Sequence, residues 1–260
     1  MAADALERFT KEFFSHGGKT RDVYRLGVGP AVIVISEIPG VTPRVAAFAE
    51  EVAAIGCTAV MPSLFGTPGK EPSGAYAVRS IAAACVSREF VLLARAKTSP
   101  VTVWLRALAQ HEHERCGGPG VGVVGMCLTG GFALAMMVDP VVLAPVLSQP
   151  SLPLVLPGRR DNASDLGISP GDLASVKRRV ADEEGLCVLG LRFTSDPLVP
   201  AARFERLRQE LGNSFVGVEI DSSDGNPDGH AANSHSVLTE HLVPAALEQV
   251  LDLFRTRLKI

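Results

Sequence analysis

The sequence predicts an α/β fold, a mostly parallel sheet with helices on both faces, and three observations carry that reading. Residues 31–36, Ala-Val-Ile-Val-Ile-Ser, form a nearly continuous β-branched run, the pattern of a strand covered on both sides. Further short apolar runs follow at 57–61, 121–125, 141–147, 186–193 and 215–220. Stretches with helical spacing separate them, and repeated strand-helix-strand units imply parallel strands wrapped by helices.

The chain opens with residues 11–15 and 20–26 flanking His16-Gly-Gly-Lys19, which reads as an antiparallel hairpin at a sheet edge. Pro43 suits the first turn of a helix, where its missing N–H is not needed, and helical spacing continues to Ile55 before Gly56 ends it. A Pro/Gly-rich loop over 62–74 leads into helical periodicity at 76–94 and 101–111. Helices are also expected at 200–211 and 243–258. Between 148 and 185 the composition shifts to Pro, Gly, Asp and Arg without a clear strand, and this segment reads as an excursion over the strand ends that could form part of a cap. The whole of 1–260 reads as one domain, since α/β units of this length commonly fold as one.

Composition narrows the function classes. With 47% apolar and 20% charged residues, the chain has enough apolar side chains for a packed core. A net charge of -3, no basic run and few Tyr or Trp argue against nucleic-acid binding. Cys57, Cys85, Cys116, Cys127 and Cys187 lack Cys-x-x-Cys spacing, so neither a disulfide framework nor a zinc site is suggested, and a reducing cytoplasm is the expected location. Residues 1–11 lack a signal peptide's apolar stretch, and no segment is apolar for long enough to span a bilayer.

The chemistry concentrates in Gly125-Met-Cys-Leu-Thr-Gly-Gly131, where a predicted strand turns into a predicted helix with a thiol at the turn. This is the arrangement of a nucleophile elbow with cysteine in place of serine. Small residues let the chain bend sharply, and the helix N-terminus behind Cys127 favours a thiolate and later an oxyanion. The position two residues after the nucleophile, usually glycine, holds Thr129. Asp196 follows the strand at 186–193, at the strand end where α/β enzymes place functional groups. Read alone, it is a turn or cap residue before Pro197. His230 and His235 follow the strand at 215–220. The chain order nucleophile, acid, histidine is that of an α/β-hydrolase triad.

Over most of its length the sequence resembles the dienelactone hydrolase family. Ser36-Glu-Ile-Pro-Gly-Val-Thr42 is similar to the family's Glu-Ile-x-Gly-Val segment, Gly125 to Gly131 to its cysteine elbow, and Ser195-Asp196 with Val199-Pro200 to its acid loop. The resemblance implies an α/β-hydrolase fold, with Glu37 beside Cys127 and helping to manage its charge before substrate binds. It also implies an oxyanion hole built from the backbone N–H groups of Ile38 and Leu128, in keeping with one donor after the nucleophile and another from an early strand-to-helix loop. The family's histidine sits in a Gly-His-Ser/Gly-Phe context. Here His230 has the preceding glycine, and His235 the following serine and apolar residue. His235 is preferred because it lies just before the last helix, with His230 as the alternative. His241 reads as structural, and His111 and His113 as exposed near a helix end. The family's carboxylate-binding arginines do not transfer cleanly, leaving Arg79 and Arg88 as candidates for an anionic substrate.

The reaction expected is hydrolysis of a small ester or lactone through an acyl-thioester, without metal or organic cofactor. Two other classes stay open: a degenerate hydrolase that only binds a small molecule or partner, and a redox-sensing thiol protein.

Overall fold

In the computed structural model, residues 4–74, 76, 80, 99–152 and 163–260 are described. Eight strands form one sheet: β1 (Thr10–His16), β2 (Lys19–Leu26), β3 (Ala31–Ile35), β4 (Thr58–Pro62), β5 (Val121–Met126), β6 (Val142–Ser148), β7 (Val188–Phe193) and β8 (Phe215–Ile220). Their order is β1-β2-β4-β3-β5-β6-β7-β8. The expected hairpin is the antiparallel β1-β2 pair at one edge, and β2 runs antiparallel to β4. Every pairing from β4 through β8 is parallel. This is the α/β-hydrolase fold that the family resemblance implies, and its mostly parallel sheet is what the apolar runs predict.

Six helices are found among the described residues: α1 (Pro43–Ala54), α2 (Pro100–Cys116), α3 (Gly130–Met136), α4 (Pro170–Asp182), α5 (Ala201–Leu211) and α6 (Pro244–Leu258). They divide between two faces. On one, Ile33 and Ile35 of β3 join a core with Trp104 of α2, Phe132 of α3, Val176 of α4 and Phe204 of α5. On the other, Val32 and Val34 pack with Val45 and Phe48 of α1 and Val250 and Phe254 of α6. A strand with both faces buried has no polar side to declare, which is why β3 reads as an unbroken apolar run.

Three helices open on the same chemistry. Thr42, Ser99 and Ser169 each accept a hydrogen bond from the backbone N–H three residues on, at 3.3, 3.2 and 3.1 Å, and each precedes a proline at the first helical position. The side-chain oxygen satisfies an orphan donor and proline removes another. The third case lies inside 148–185, where the structure finds α4, a helix the composition did not suggest. Residues 153–162 of that segment lie outside the described residues, as do Arg79, Arg88, Cys85 and nearly all of the helix expected over 76–94. Among the described residues no helix is long and apolar enough to cross a membrane.

A buried ion pair fixes the edge hairpin to α2. Arg25 of β2 donates from Nε to both Glu112 carboxylate oxygens at 3.1 and 3.0 Å, and Nη2 also bonds that carboxylate. Glu112 is fully buried and Arg25 nearly so. Removing the cation strands a buried carboxylate, so Arg25→Met should cost about 3–5 kcal/mol in chemical denaturation. A loss under about 1 kcal/mol would show that water or protonation relieves the stranded Glu112 carboxylate.

Candidate active site

The loops that follow β3, β5, β6, β7 and β8 all leave the carboxyl ends of neighbouring parallel strands, so side chains distant in sequence meet there. Cys127 is the first residue after β5 and has φ of +55°. A non-glycine residue in this left-handed region costs about 1–3 kcal/mol, which its surroundings must supply. Thr129 supplies part of it. Its fully buried hydroxyl accepts from the Met126 N–H at 2.7 Å and lies 2.9 Å from the Ile35 carbonyl and 2.8 Å from the Met126 carbonyl, one of which takes its proton. The residue that departs from the usual elbow thus ties the turn to the end of β3. Gly125 permits the close turn, since a Cβ there would sit 2.3 Å from the Thr129 carbonyl oxygen.

Asp196, almost wholly buried after β7, lies with Oδ2 2.6 Å from His235 Nδ1, while its Oδ1 accepts from the Leu198 N–H at 2.9 Å. Nδ1 therefore carries the proton donated to Asp196. The other ring nitrogen, Nε2, is buried without a hydrogen-bond partner of ordinary geometry. Burial alone would lower the imidazole's pKa, but the Asp196 hydrogen bond and the interaction with Cys127 prevail and raise it to about 10. With Nδ1 taken by Asp196, the interaction with Cys127 falls on Nε2.

The two loops that carry this pair are fastened together. Ser195 N–H donates to Ser222 Oγ, and Ser222 N–H donates to Thr194 Oγ1, both at 3.0 Å. Arg192 donates to the Thr194 carbonyl at 3.1 Å and also to the Val199 carbonyl. His241 Nδ1 accepts from the N–H groups of His235 and Ser236, at 3.3 Å each. The other candidate, His230, packs edge-on against Phe193 at 5.2 Å, and its backbone is held by Asn226. The structure brings His235, not His230, to Cys127 and Asp196.

Glu37 differs from the sequence expectation. Its buried carboxylate accepts from Ser236 Oγ at 2.7 Å, from Gln149 Nε2 at 3.1 Å and from Thr239 Oγ1, and no hydrogen bond joins it to Cys127. The reason is the loop after His235, which presents hydroxyls from Ser236 and Thr239 to the carboxylate. Glu37 thus clamps the histidine loop to the loop after β3. Ile38 and Leu128 lie just beyond paired strand ends, Ile35 against Gly125, so their loops run side by side.

Sequence reasoning missed two residues here. Ser151 Oγ lies 3.0 Å from Cys127 Sγ, and Ser151 N–H donates to the Cys127 carbonyl at 3.0 Å. Arg203 of α5, buried, donates to the carbonyls of Pro150 at 2.7 Å, Leu198 at 3.1 Å and Asp165 at 2.8 Å, and so joins the connection between β6 and α4 to the loop after β7. Burial works against its charge, while Asp165, Asp196 and Cys127 favour it; burial prevails and its pKa is lowered. A serine three residues past a strand carries no motif, and an arginine within a helical pattern reads as surface. Among the described residues no cluster of three or more His, Cys, Asp or Glu could hold a metal ion.

The sequence profile of the dienelactone hydrolase family matches residues 24–258. The chain belongs to this family. It is accordingly a hydrolase of the α/β-hydrolase superfamily. No curated protein matches the sequence. Among solved structures, similar folds include a dienelactone hydrolase-like promiscuous phosphotriesterase from metagenomic libraries, with 16% identity, 96% of this chain and 98% of that one covered, and a TM-score of 0.60. Est1E from Butyrivibrio proteoclasticus is 12% identical, with 96% and 99% covered and a TM-score of 0.59. TT1662 from Thermus thermophilus is 17% identical, with 97% and 99% covered and a TM-score of 0.56. At these identities the likeness speaks for the fold.

A pKa raised from 6.5 to about 10 means that His235 contributes stability fully present below about 6.5 and lost as pH rises through about 10. In Asp196→Asn the opposing effect of burial gains weight, and the His235 ring should titrate markedly lower, as followed by its ring-proton NMR signals. An unchanged titration would remove Asp196 as a cause.

Proposed function

We propose that this dienelactone hydrolase family member cleaves a small ester or lactone with Cys127 as nucleophile, His235 as acid and base, and Asp196 as the group that orients the imidazole. The observation that supports this reading is the convergence of three loops. A cysteine held at positive φ shares one imidazole with a buried aspartate on the opposite ring nitrogen.

The proposed reaction runs as two acyl transfers. The Cys127 proton moves to His235 Nε2, and the sulfur attacks the carbonyl carbon, forming a C–S bond while the carbonyl π pair moves to oxygen. The amides of Ile38 and Leu128 receive that oxyanion. Collapse breaks the bond to the alkoxide, which takes the proton from Nε2, leaving an acyl-thioester. His235, now neutral, removes a proton from water as the water attacks, and the second collapse releases the acid and restores the thiolate-imidazolium pair. Asp196 stays ionised throughout and stabilises the imidazolium. Arg79 and Arg88 are the residues proposed to meet an anionic substituent.

The test is turnover of p-nitrophenyl acetate and a panel of enol-lactones, with a phosphotriester as a further arm because one structural relative is described as a phosphotriesterase. Cys127→Ala and His235→Ala should each lose at least about 10³-fold in kcat, and His230→Ala should stay within about threefold of wild type, consistent with the local effect of a surface change. Hydrolysis that survives Cys127→Ala would overturn the reading.

A further inference from the structure

The Ser151 hydroxyl lies at hydrogen-bond distance from the sulfur of Cys127, and the segment around it fixes that contact. Gln149, the residue that turns the chain after β6, has φ of +36°, is fully buried, donates its N–H to the Leu191 carbonyl at 2.8 Å and holds Glu37 through its side-chain amide. Pro150 lies against Gly130, where a Cβ would sit 2.6 Å from the proline Cβ, and its carbonyl accepts from buried Arg203 at 2.7 Å. Ser151 N–H then donates to the Cys127 carbonyl at 3.0 Å, which leaves the hydroxyl 3.0 Å from the sulfur. Such over-determination of one small polar side chain is the mark of a built contact, since a serine hydroxyl otherwise rotates to whichever partner is near.

Charged groups reach the surroundings of the sulfur from several elements. His235 faces it from the loop after β8 with Asp196 behind, Arg203 of α5 interacts with it, and Asp165 in turn pairs with Arg203. Glu37, the nearby anion after β3, is held by Ser236, Thr239 and Gln149. A thiolate accepts hydrogen bonds and cannot donate, so beside a thiolate the Ser151 hydroxyl has one role, that of donor.

We infer that Ser151 is a positioning residue that donates its hydroxyl hydrogen bond to Cys127 and holds the sulfur as a thiolate facing His235 before substrate arrives, a duty the family resemblance would give to Glu37. The inference rests on the proposed function only in taking Cys127 as the nucleophile. The proton balance is simple. The thiol proton resides on His235 Nε2, and the serine keeps its own.

The experiment measures alkylation of Cys127 by iodoacetamide in the full-length protein from roughly pH 4 to pH 10, the range in which thiolates appear. Peptide mass spectrometry separates Cys127 from Cys116 and Cys187. Substrate is absent, so the readout reports the resting state. Ser151→Ala should move the acid limb of the alkylation profile up by about one pH unit, the size of a hydrogen bond to a charged group. It should also slow alkylation on that limb by about tenfold, the same shift expressed as a rate. Ser151→Thr should restore most of both, and Glu37→Gln, which removes an anion from the surroundings, should not move the acid limb up by that amount. A Ser151→Ala profile that superimposes on wild type overturns the inference, as does that upward shift produced by Glu37→Gln instead. If Ser151→Ala fails to fold by circular dichroism, the Thr and Gln variants still decide between the two partners. A flat Ser151 result alongside a Cys127→Ala protein that has lost turnover sinks this inference alone. Turnover that survives in Cys127→Ala sinks the hydrolase reading, whatever Ser151 does.

Discussion

The turn at Cys127 is the constraint on which the site depends. Placing a non-glycine residue at φ +55° costs free energy, and the chain recovers it through contacts that also define the geometry of the chemistry. Thr129 hydrogen-bonds back to the end of β5 and lies within reach of the Ile35 carbonyl at the end of β3, so the strain is resisted by the rigid centre of the sheet. The absence of a side chain at Gly125 lets the backbone of Thr129 come this close. An unstrained turn would let the thiol swing away from His235, and the alignment of sulfur, imidazole and carboxylate would be lost.

Around that turn the loops are cross-braced rather than merely adjacent. Buried polar groups in such a place are costly unless every one is satisfied, and here the satisfaction is reciprocal between loops. Glu37 and Gln149 link the ends of β3 and β6 to the histidine loop; Arg203 links the loop after β6 to the acid loop; Ser222 and Thr194 link the acid loop to the end of β8. Among the described residues here, Ser36 Oγ and His235 Nε2 are buried without a partner of ordinary geometry, and the second is directed at the thiol. A nitrogen kept out of the surrounding network is available for proton transfer.

Much of this was legible in the sequence because each signal had a local cause. Strands buried on both faces must be uniformly apolar, so β3 and β5 declare themselves, and an elbow needs small residues beside its nucleophile. The order Cys127, Asp196, His235 was readable for the same reason, and proximity to the last helix separated His235 from His230. Other features were not readable, since they arise from contacts between distant segments. Nothing local shows that Ser236 and Thr239 would reach the carboxylate of Glu37, about two hundred positions away, or that Ser151 would meet the thiol. The α4 helix was a different kind of omission, because Ser169-Pro170 is the same cap that opens α1 and α2, and composition obscured it.

The central claim is that an acyl group passes through the sulfur of Cys127, and the most direct measurement is to capture it. Wild-type protein mixed with p-nitrophenyl acetate, quenched in acid within the first turnover and digested, should carry an acetyl group on the peptide containing Cys127. The adduct should accumulate in His235→Asn if any acylation occurs there, because water then lacks its base. Acetylation of another residue, or product release with Cys127 never modified, would contradict the account.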